Sequence, residues 1–592
     1  MADGKQKSES YQLMGGVNSK ASPYVNGPME FRDISNMNFI SPGALTKRPG
    51  TTLYSGATIA GAIQSGYEFA RLSGNSYIIA TANTTAYTVT NTGYNAFKTG
   101  MLNNGIFSFV TFVDRLFACN GNDFFKYDGN STENYSLPAG ITGWGATGYI
   151  GASYAVTGGI TYNLCGLTGP YVVSWGFVND RGFFGPVAPG VTVVLDGITA
   201  TSFAYYGITS PPGYGVTAIA LYNTTSGGVQ LTFATFAPIV GATIINPGAT
   251  LTSQIASFAE QFTTLVPQYL AIFNNQMFMA GFSTLPSEVI WSEIGEPEAV
   301  DPGFDVEVRT NDGDVITGLK PYNNTLIVTK RYSFHQIFGD NPADFVFQQI
   351  SDQYGCLSHR AMVVYQNLIW FLDEKGIVQY DGSNFTIKSN AVEPFLKAMN
   401  IDAAVNQAVA VHAKFFNEVW FAIPINGSTV NNIILVFDYL TGAWTHYDGL
   451  QLASLWMARG SLPGKTPMFG NYTGAVFNFG SSLFGDNGNA ITCMFDSYFL
   501  QAFGRTTESM YRRFYLDVNQ VIGVTLPITM NFKTNFGSTI QATRTMYQNP
   551  YQSRIDFGLS ARAIQAELIA SSATFPLVIN GFTFEGRVQR EV

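Results

Sequence analysis

The sequence predicts an all-β protein: a β-propeller of about seven blades, with six to eight allowed, carrying an inserted fibronectin III-like sandwich and a C-terminal β-sandwich. Three observations predict it. Glycine supplies 61 of 592 residues and aromatics 14%, while charged residues supply only 12%. Glycine gives turns their positive φ and aromatics pack on sheets, so this mixture suits short strands joined by many turns. A second observation is a recurring motif, and a third is two long segments where that motif is replaced by plain alternation of apolar and polar residues.

The motif is an aromatic, a short polar turn and an apolar run. It reads "FVDRLFA" at Phe112, "FNNQMFMA" at Phe273, "YNNTLIVT" at Tyr322, "YQNLIWFL" at Tyr365 and "FNEVWFAI" at Phe416, with weaker copies at Leu72 and Pro463. Each is a tight turn entering a buried strand. A further strand follows each copy and ends on a turn signal such as Tyr127-Asp128-Gly129 or Tyr380-Asp381-Gly382. The Asp accepts backbone N–H bonds there and the Gly takes the left-handed conformation. Copies recur every ~40–50 residues, the spacing of propeller blades. Separate hairpins in unrelated sandwiches are the rival reading.

The expected organisation follows. Residues 1–10, "MADGKQKSES", are polar and expected to be disordered. Residues 11–146 hold an N-terminal strand segment and the first blades. Residues 147–262 form the inserted sandwich around Trp175, residues 263–480 the remaining blades, and residues 481–592 the C-terminal sandwich.

Net charge is −9. Residues 481–592 carry about as many basic as acidic side chains, so the acidity lies in the first 480 residues. This disfavours tight nonspecific DNA binding, which needs clustered Lys and Arg. The low charged fraction fits either a polar uncharged surface or apolar surface meeting partner subunits. The late arginines (Arg505, Arg512, Arg513, Arg544, Arg554, Arg562, Arg587 and Arg590) fit either solvated faces or interface anchors. The start of the sequence lacks the apolar run of a signal peptide, and no stretch approaches the ~20 apolar residues of a membrane helix. The expectation is a soluble chain made in a cytoplasm.

Catalytic signatures are sparse. Cys119, Cys165, Cys356 and Cys493 show no CxxC spacing and read as free thiols, so no metal is expected. His335, His359, His412 and His446 form no HExxH pair and read as packed or surface histidines. No GxSxG elbow or phosphate loop occurs, and no cofactor is expected. Glu293, Glu296, Glu298 and Asp301 cluster in "SEIGEPEAVDP" and Asp373-Glu374 follow a strand. Paired carboxylates can cleave glycosides, so a carbohydrate-binding or glycoside-cleaving propeller is the alternative to solvated acidic turns.

The stretch "NMNFISPGALTKRPGT" resembles the N-terminal segment of the tail nozzle (tail tubular protein B) and head–tail hub family of short-tailed bacteriophages, at Gly43, Leu45, Lys47, Arg48, Pro49, Gly50 and Thr51. "EVIWSEIGEPEAVDP" is similar to the same proteins at Trp291, Ser292, Gly295, Glu296 and Pro297. The resemblance implies a non-enzymatic virion protein in a six-fold ring around a DNA channel. Expected partners are further copies of the chain, an adaptor or portal-side tail protein, tail fibres or spikes, and double-stranded DNA in transit. Interface candidates are Lys47, Arg48, Pro49, Gly50, Arg505, Arg512 and Arg513. Lys47 and Arg48 are expected either at a solvated turn or facing a neighbouring subunit, with their segment beside the last blade or the C-terminal sandwich.

Overall fold

The computed structural model describes residues 6–591 except 23–28, 136–144, 150–153, 163–167, 197–201, 247–264, 460–464, 520–525, 549–553 and breaks of one to three residues. Seven four-stranded antiparallel blades are found among the described residues. Their first strands are Ser65–Ala70, Ser108–Phe112, Tyr269–Phe273, Ile316–Tyr322, Met362–Tyr365, Val409–Ala413 and Leu452–Arg459. These first strands lie innermost, most of them directly against the first strand of the next blade, and Leu452–Arg459 returns to Ser65–Ala70 to close the ring.

The repeating motif is the hairpin between the first and second strands of a blade. Val113 and Asp114, Asn274 and Asn275, and Gln366 and Asn367 all have positive φ between 45° and 60°. Two consecutive left-handed residues make the type I′ turn that matches strand twist. The later turns also behave as expected. Asp128 accepts from the Asn130 and Ser131 N–H groups and Asp381 from those of Ser383 and Asn384. Gly129 and Gly382 sit at φ 99° and 100°. Between blades, apolar faces interlock: Phe273, Phe278 and Trp291 pack on Leu319, Leu326 and Val328.

The last blade is completed from far away in sequence. Gly50–Leu53 pairs antiparallel with Val476–Gly480, so the N-terminal segment supplies the outer strand of blade 7. The segment before it belongs to the C-terminal sandwich. One sheet runs Met37–Ser41, Ala44–Lys47, Val578–Glu591, Thr507–Val518, Arg554–Ala561. The other runs Asn489–Ser497, Ile564–Ser572, Pro527–Thr534, Ile540–Tyr547, and joins blade 6 through Phe31–Ser35. Phe495, Phe514, Phe532, Phe582 and Phe584 fill the space between the sheets. Residues 6–10, expected to be disordered, begin the strand Gln6–Gln12 on the edge of Val578–Glu591. Tyr11 anchors it by stacking on Phe582.

The insertion is a sandwich as expected. Thr168–Asn179 pairs with Val191–Asp196 and Val216–Asn223, and Thr232–Ala237 extends that sheet. Gly145–Tyr149, Ser202–Tyr206 and Thr243–Asn246 form the facing sheet. Trp175 and Tyr205 are fully buried between them. Cys119, Cys356 and Cys493 are buried free thiols, and Cys165 lies outside the described residues. Among the described residues no helix is long and apolar enough to cross a membrane.

Candidate functional site

The conspicuous polar centre is the seam where the N-terminal segment, blades 6 and 7 and the C-terminal sandwich meet. Asn36 organises it from a left-handed conformation, φ 56°. Its N–H donates to the His446 carbonyl at 2.8 Å and its side-chain amide to the Thr492 carbonyl at 2.9 Å. Its Oδ1 accepts from Arg48 Nε at 2.8 Å and from the Asp448 N–H at 2.9 Å. Arg48 then reaches Asp486 through both terminal nitrogens, at 3.0 and 2.5 Å, and lies 5.6 Å over the Tyr447 ring. Lys47 donates to the Ser572 carbonyl at 2.8 Å.

Lys47 and Arg48 are therefore not presented to a neighbour: they are 5% and 1% exposed. The expectation of an outward-facing basic turn is corrected. Asp486 neutralises Arg48 inside the chain, and burial pushes the Lys47 amine down to about 8. Pro49 is buried beside them. Gly50 is required by close approach, since a Cβ there would lie 2.3 Å from the Gly485 carbonyl oxygen.

A second node adjoins the first. His446 sits between Asp33 at 2.7 Å and Asp448 at 3.1 Å, and Asp448 also accepts from Ser35 at 2.6 Å. Burial opposes the imidazolium, but these carboxylate bonds outweigh it and hold His446 up at about 9. Among the described residues no cation pairs with fully buried Glu418. Burial pushes it up to about 8, although Trp420 Nε1, Asn38 Nδ2 and Tyr447 O–H donate to it. Clefts of about 320 and 500 Å³ open on this seam, bordered by Asp486 and Asn489.

The propeller axis is occupied by two side chains of one short turn, His359–Ala361. Arg360 donates to the carbonyls of Gln64 at 2.8 Å, Ala453 at 3.2 Å, Asn406 at 2.6 Å and Gln407 at 3.5 Å. Those carbonyls stand at the inner edges of blades 1, 7 and 6. His359 meets Ser108 of blade 2, the Leu319 N–H of blade 4 and the ring of Tyr269 in blade 3. Burial, with Lys320 and Arg360 nearby, lowers His359 to about 3, so it is neutral. Sequence reasoning took His359 as a packed or surface histidine and missed Arg360, whose backbone partners leave no pattern in the sequence.

The remaining candidates are dispersed. Glu298 is buried and accepts from Lys126 at 2.8 and 2.9 Å and from Asn179 of the insertion at 2.8 Å. Arg115 likewise bridges Glu133 of blade 2 and Asp180 of the insertion. These pairs fasten the insertion to blades 2 and 3. Asp301 and Arg505 lie outside the described residues. Asp373 caps a turn by accepting from the Gly355 and Lys375 N–H groups. Arg512 is exposed, and Arg513 pairs with Glu585 and Asp556 on the outer face of the C-terminal sandwich. Among the described residues no group of three or more His, Cys, Asp or Glu is placed to hold a metal.

Fold and site together define an all-β scaffold whose most buried charges are spent on closing a ring and joining domains. No family model matches the sequence and no curated protein does. Among solved structures, BBS1N in complex with ARL6DN is 9% identical over 72% of this chain and 94% of its own, with a TM-score of 0.27. An exo-beta-1,3-galactanase from Phanerochaete chrysosporium is 8% identical over 89% of this chain and 100% of its own, with a TM-score of 0.18. The extracellular domain of the putative hybrid two component system BT4673 from B. thetaiotaomicron is 10% identical over 94% and 95%, with a TM-score of 0.14. Likeness at this level carries no functional argument.

Proposed function

We propose that the chain is a structural subunit of a short-tailed phage virion, a tail nozzle or hub that assembles as a ring, conducts DNA and docks neighbouring tail proteins. The observation that carries the reading is the use made of the stretch resembling that family. Lys47, Arg48, Pro49 and Gly50 of that stretch are buried. They staple the last blade to the C-terminal sandwich through Arg48–Asp486, Lys47–Ser572 and the strand Gly50–Leu53. A chain that commits a buried arginine and a buried lysine to joining its N-terminal segment to its C-terminal sandwich suits a body under mechanical load.

His359 and Arg360 fill the propeller's own axis, so in this reading the conduit would run between copies, with the propellers as its wall. The acidity of the first 480 residues would repel DNA from that wall and keep passage smooth. Carboxylate chemistry is the weaker reading, because Glu298 of the acidic cluster is already held by Lys126. Immunogold labelling of virions with an antibody to this chain tests the proposal. Gold confined to the tail is the expected result, and gold on the capsid or none on virions overturns it.

A further inference from the structure

Where the sheet of blade 6 runs into the C-terminal sandwich, one row of paired residues crosses five strands. Asp33 of Phe31–Ser35 lies opposite Asp496 of Asn489–Ser497, and Asp496 opposite Glu567 of Ile564–Ser572. Glu567 lies opposite Asn531 of Pro527–Thr534, and Asn531 opposite Thr543 of Ile540–Tyr547. Directly paired residues share a face of the sheet. Their sequence neighbours Phe495, Leu568 and Phe532 point into the core, so the row lies on the other face. It sets three carboxylates side by side.

Their partners are unequal. Asp33 accepts from His446 of blade 6 at 2.7 Å. Glu567 accepts from Asn531 at 2.8 Å and Lys533 at 3.4 Å, and Asn531 accepts from Thr543 at 2.9 Å. Asp496, between them, is 7% exposed, and its Oδ1 is buried with no hydrogen-bond partner among the described residues. The hydrogen bonds run in from both ends of the row and stop at Asp496. The charges facing it are Arg32 and Asp33 from one neighbouring strand, Glu567 and Lys533 from the other side, and His446 beyond Asp33. Lys533 is engaged by Glu567, and Arg32 is exposed to water. Like charges opposite one another across strands are destabilising, and a buried carboxyl without a cation of its own keeps its proton. Burial pushes Asp496 up to about 7, with Glu567 and Asp33 adding to the rise against Lys533 and Arg32.

We propose that Asp496 is a proton-operated latch between the propeller and the C-terminal sandwich. Protonated, it lets Phe31–Ser35 stay paired with Asn489–Ser497. Ionised, it repels Asp33 and Glu567 and loosens that joint. Its folded value is raised above the ordinary 3.8, so the stabilisation is complete below about 3.8 and is lost as pH rises through about 7. The latch belongs to the single chain, whatever assembly the chain enters.

Hydrogen exchange of the full chain, read at the amides of Phe31–Ser35 and Asn489–Ser497, tests it. Asp496→Asn copies the shape of the protonated carboxyl without its charge. Protection in wild type relative to Asp496→Asn falls about tenfold between pH ~6 and ~8.5, while the same ratio in the strands of blade 4 stays constant. Protection relative to Glu567→Gln falls in the same direction by a smaller factor, which keeps the test open if Asp496→Asn does not fold. A ratio at the joint that does not change with pH overturns the latch. So does a ratio that changes equally in blade 4, because Asp496 would then act on the whole fold.

Discussion

Arg48 and Asp486 offer the sharpest test of the seam. The guanidinium is 1% exposed and the carboxylate 23%. Removing one partner of a buried pair strands the other, which costs about 3–5 kcal/mol. The asymmetry of exposure decides which loss is worse. Asp486→Asn leaves a cation with almost no access to water, so its cost falls near the top of that range. Arg48→Met leaves a carboxylate that water partly reaches and Thr51 still serves, so its cost is nearer about 3 kcal/mol. Arg48→Met combined with Asp486→Asn removes both charges and costs about 5–6 kcal/mol, less than the ~8 kcal/mol of the two single losses added. The expected coupling is about 2–3 kcal/mol, opposite in sign to the single losses. Calorimetry reads it: for a cooperative unit of ~150–250 residues, 3 kcal/mol lowers the midpoint by about 6–12 °C. Additive losses in the double variant, or single variants within about 0.5 kcal/mol of wild type, would refute the reasoning.

Three further outcomes are expected. Arg360→Met removes the guanidinium donor from the Gln64, Ala453 and Asn406 carbonyls at the axis, while Gln407 keeps Asn431, and lowers stability by about 2–4 kcal/mol in urea unfolding; a change below about 0.5 kcal/mol would mean the axis needs no plug. Glu418 is raised to about 8, so the stability from its bound proton is complete below an unfolded value near 4.5 and is lost as pH rises through about 8. Glu418→Gln, with Asn38 turned to offer its otherwise unpartnered Oδ1, should flatten that slope and be more stable than wild type at pH ~9; an unchanged pH profile would contradict the assignment. Gly50→Ala meets the Gly485 backbone and costs about 2–3 kcal/mol, whereas Gly43→Ala, at φ 94° in open space, costs about 1; the reverse order of melting temperatures would count against the close approach at Gly50.

What the sequence revealed and what it concealed divides by range. Hairpins such as Phe112–Arg115 and Phe273–Gln276 were legible because an I′ turn needs particular residues at adjacent positions. Blade spacing followed from their repetition. The closing strand Gly50–Leu53 was expected only near the last blade, because its partner Val476–Gly480 lies more than 400 residues away and nothing local names it. Lys47-Arg48 read as a surface turn because paired burial is the exception for such side chains, and the pairing depends on Asp486, in a strand of only two residues, Gly485–Asp486. Glu298 read as part of an acidic turn because its partners Lys126 and Asn179 come from another blade and from the insertion. Arg360 was invisible for a different reason: its partners are backbone carbonyls, which every residue has.

The account stands most directly on whether these closed propellers are parts of a wall. Two-dimensional class averages from electron microscopy of the purified chain would decide it. The account predicts rings of six copies around an opening that passes duplex DNA, and isolated single toroids at every concentration would contradict it.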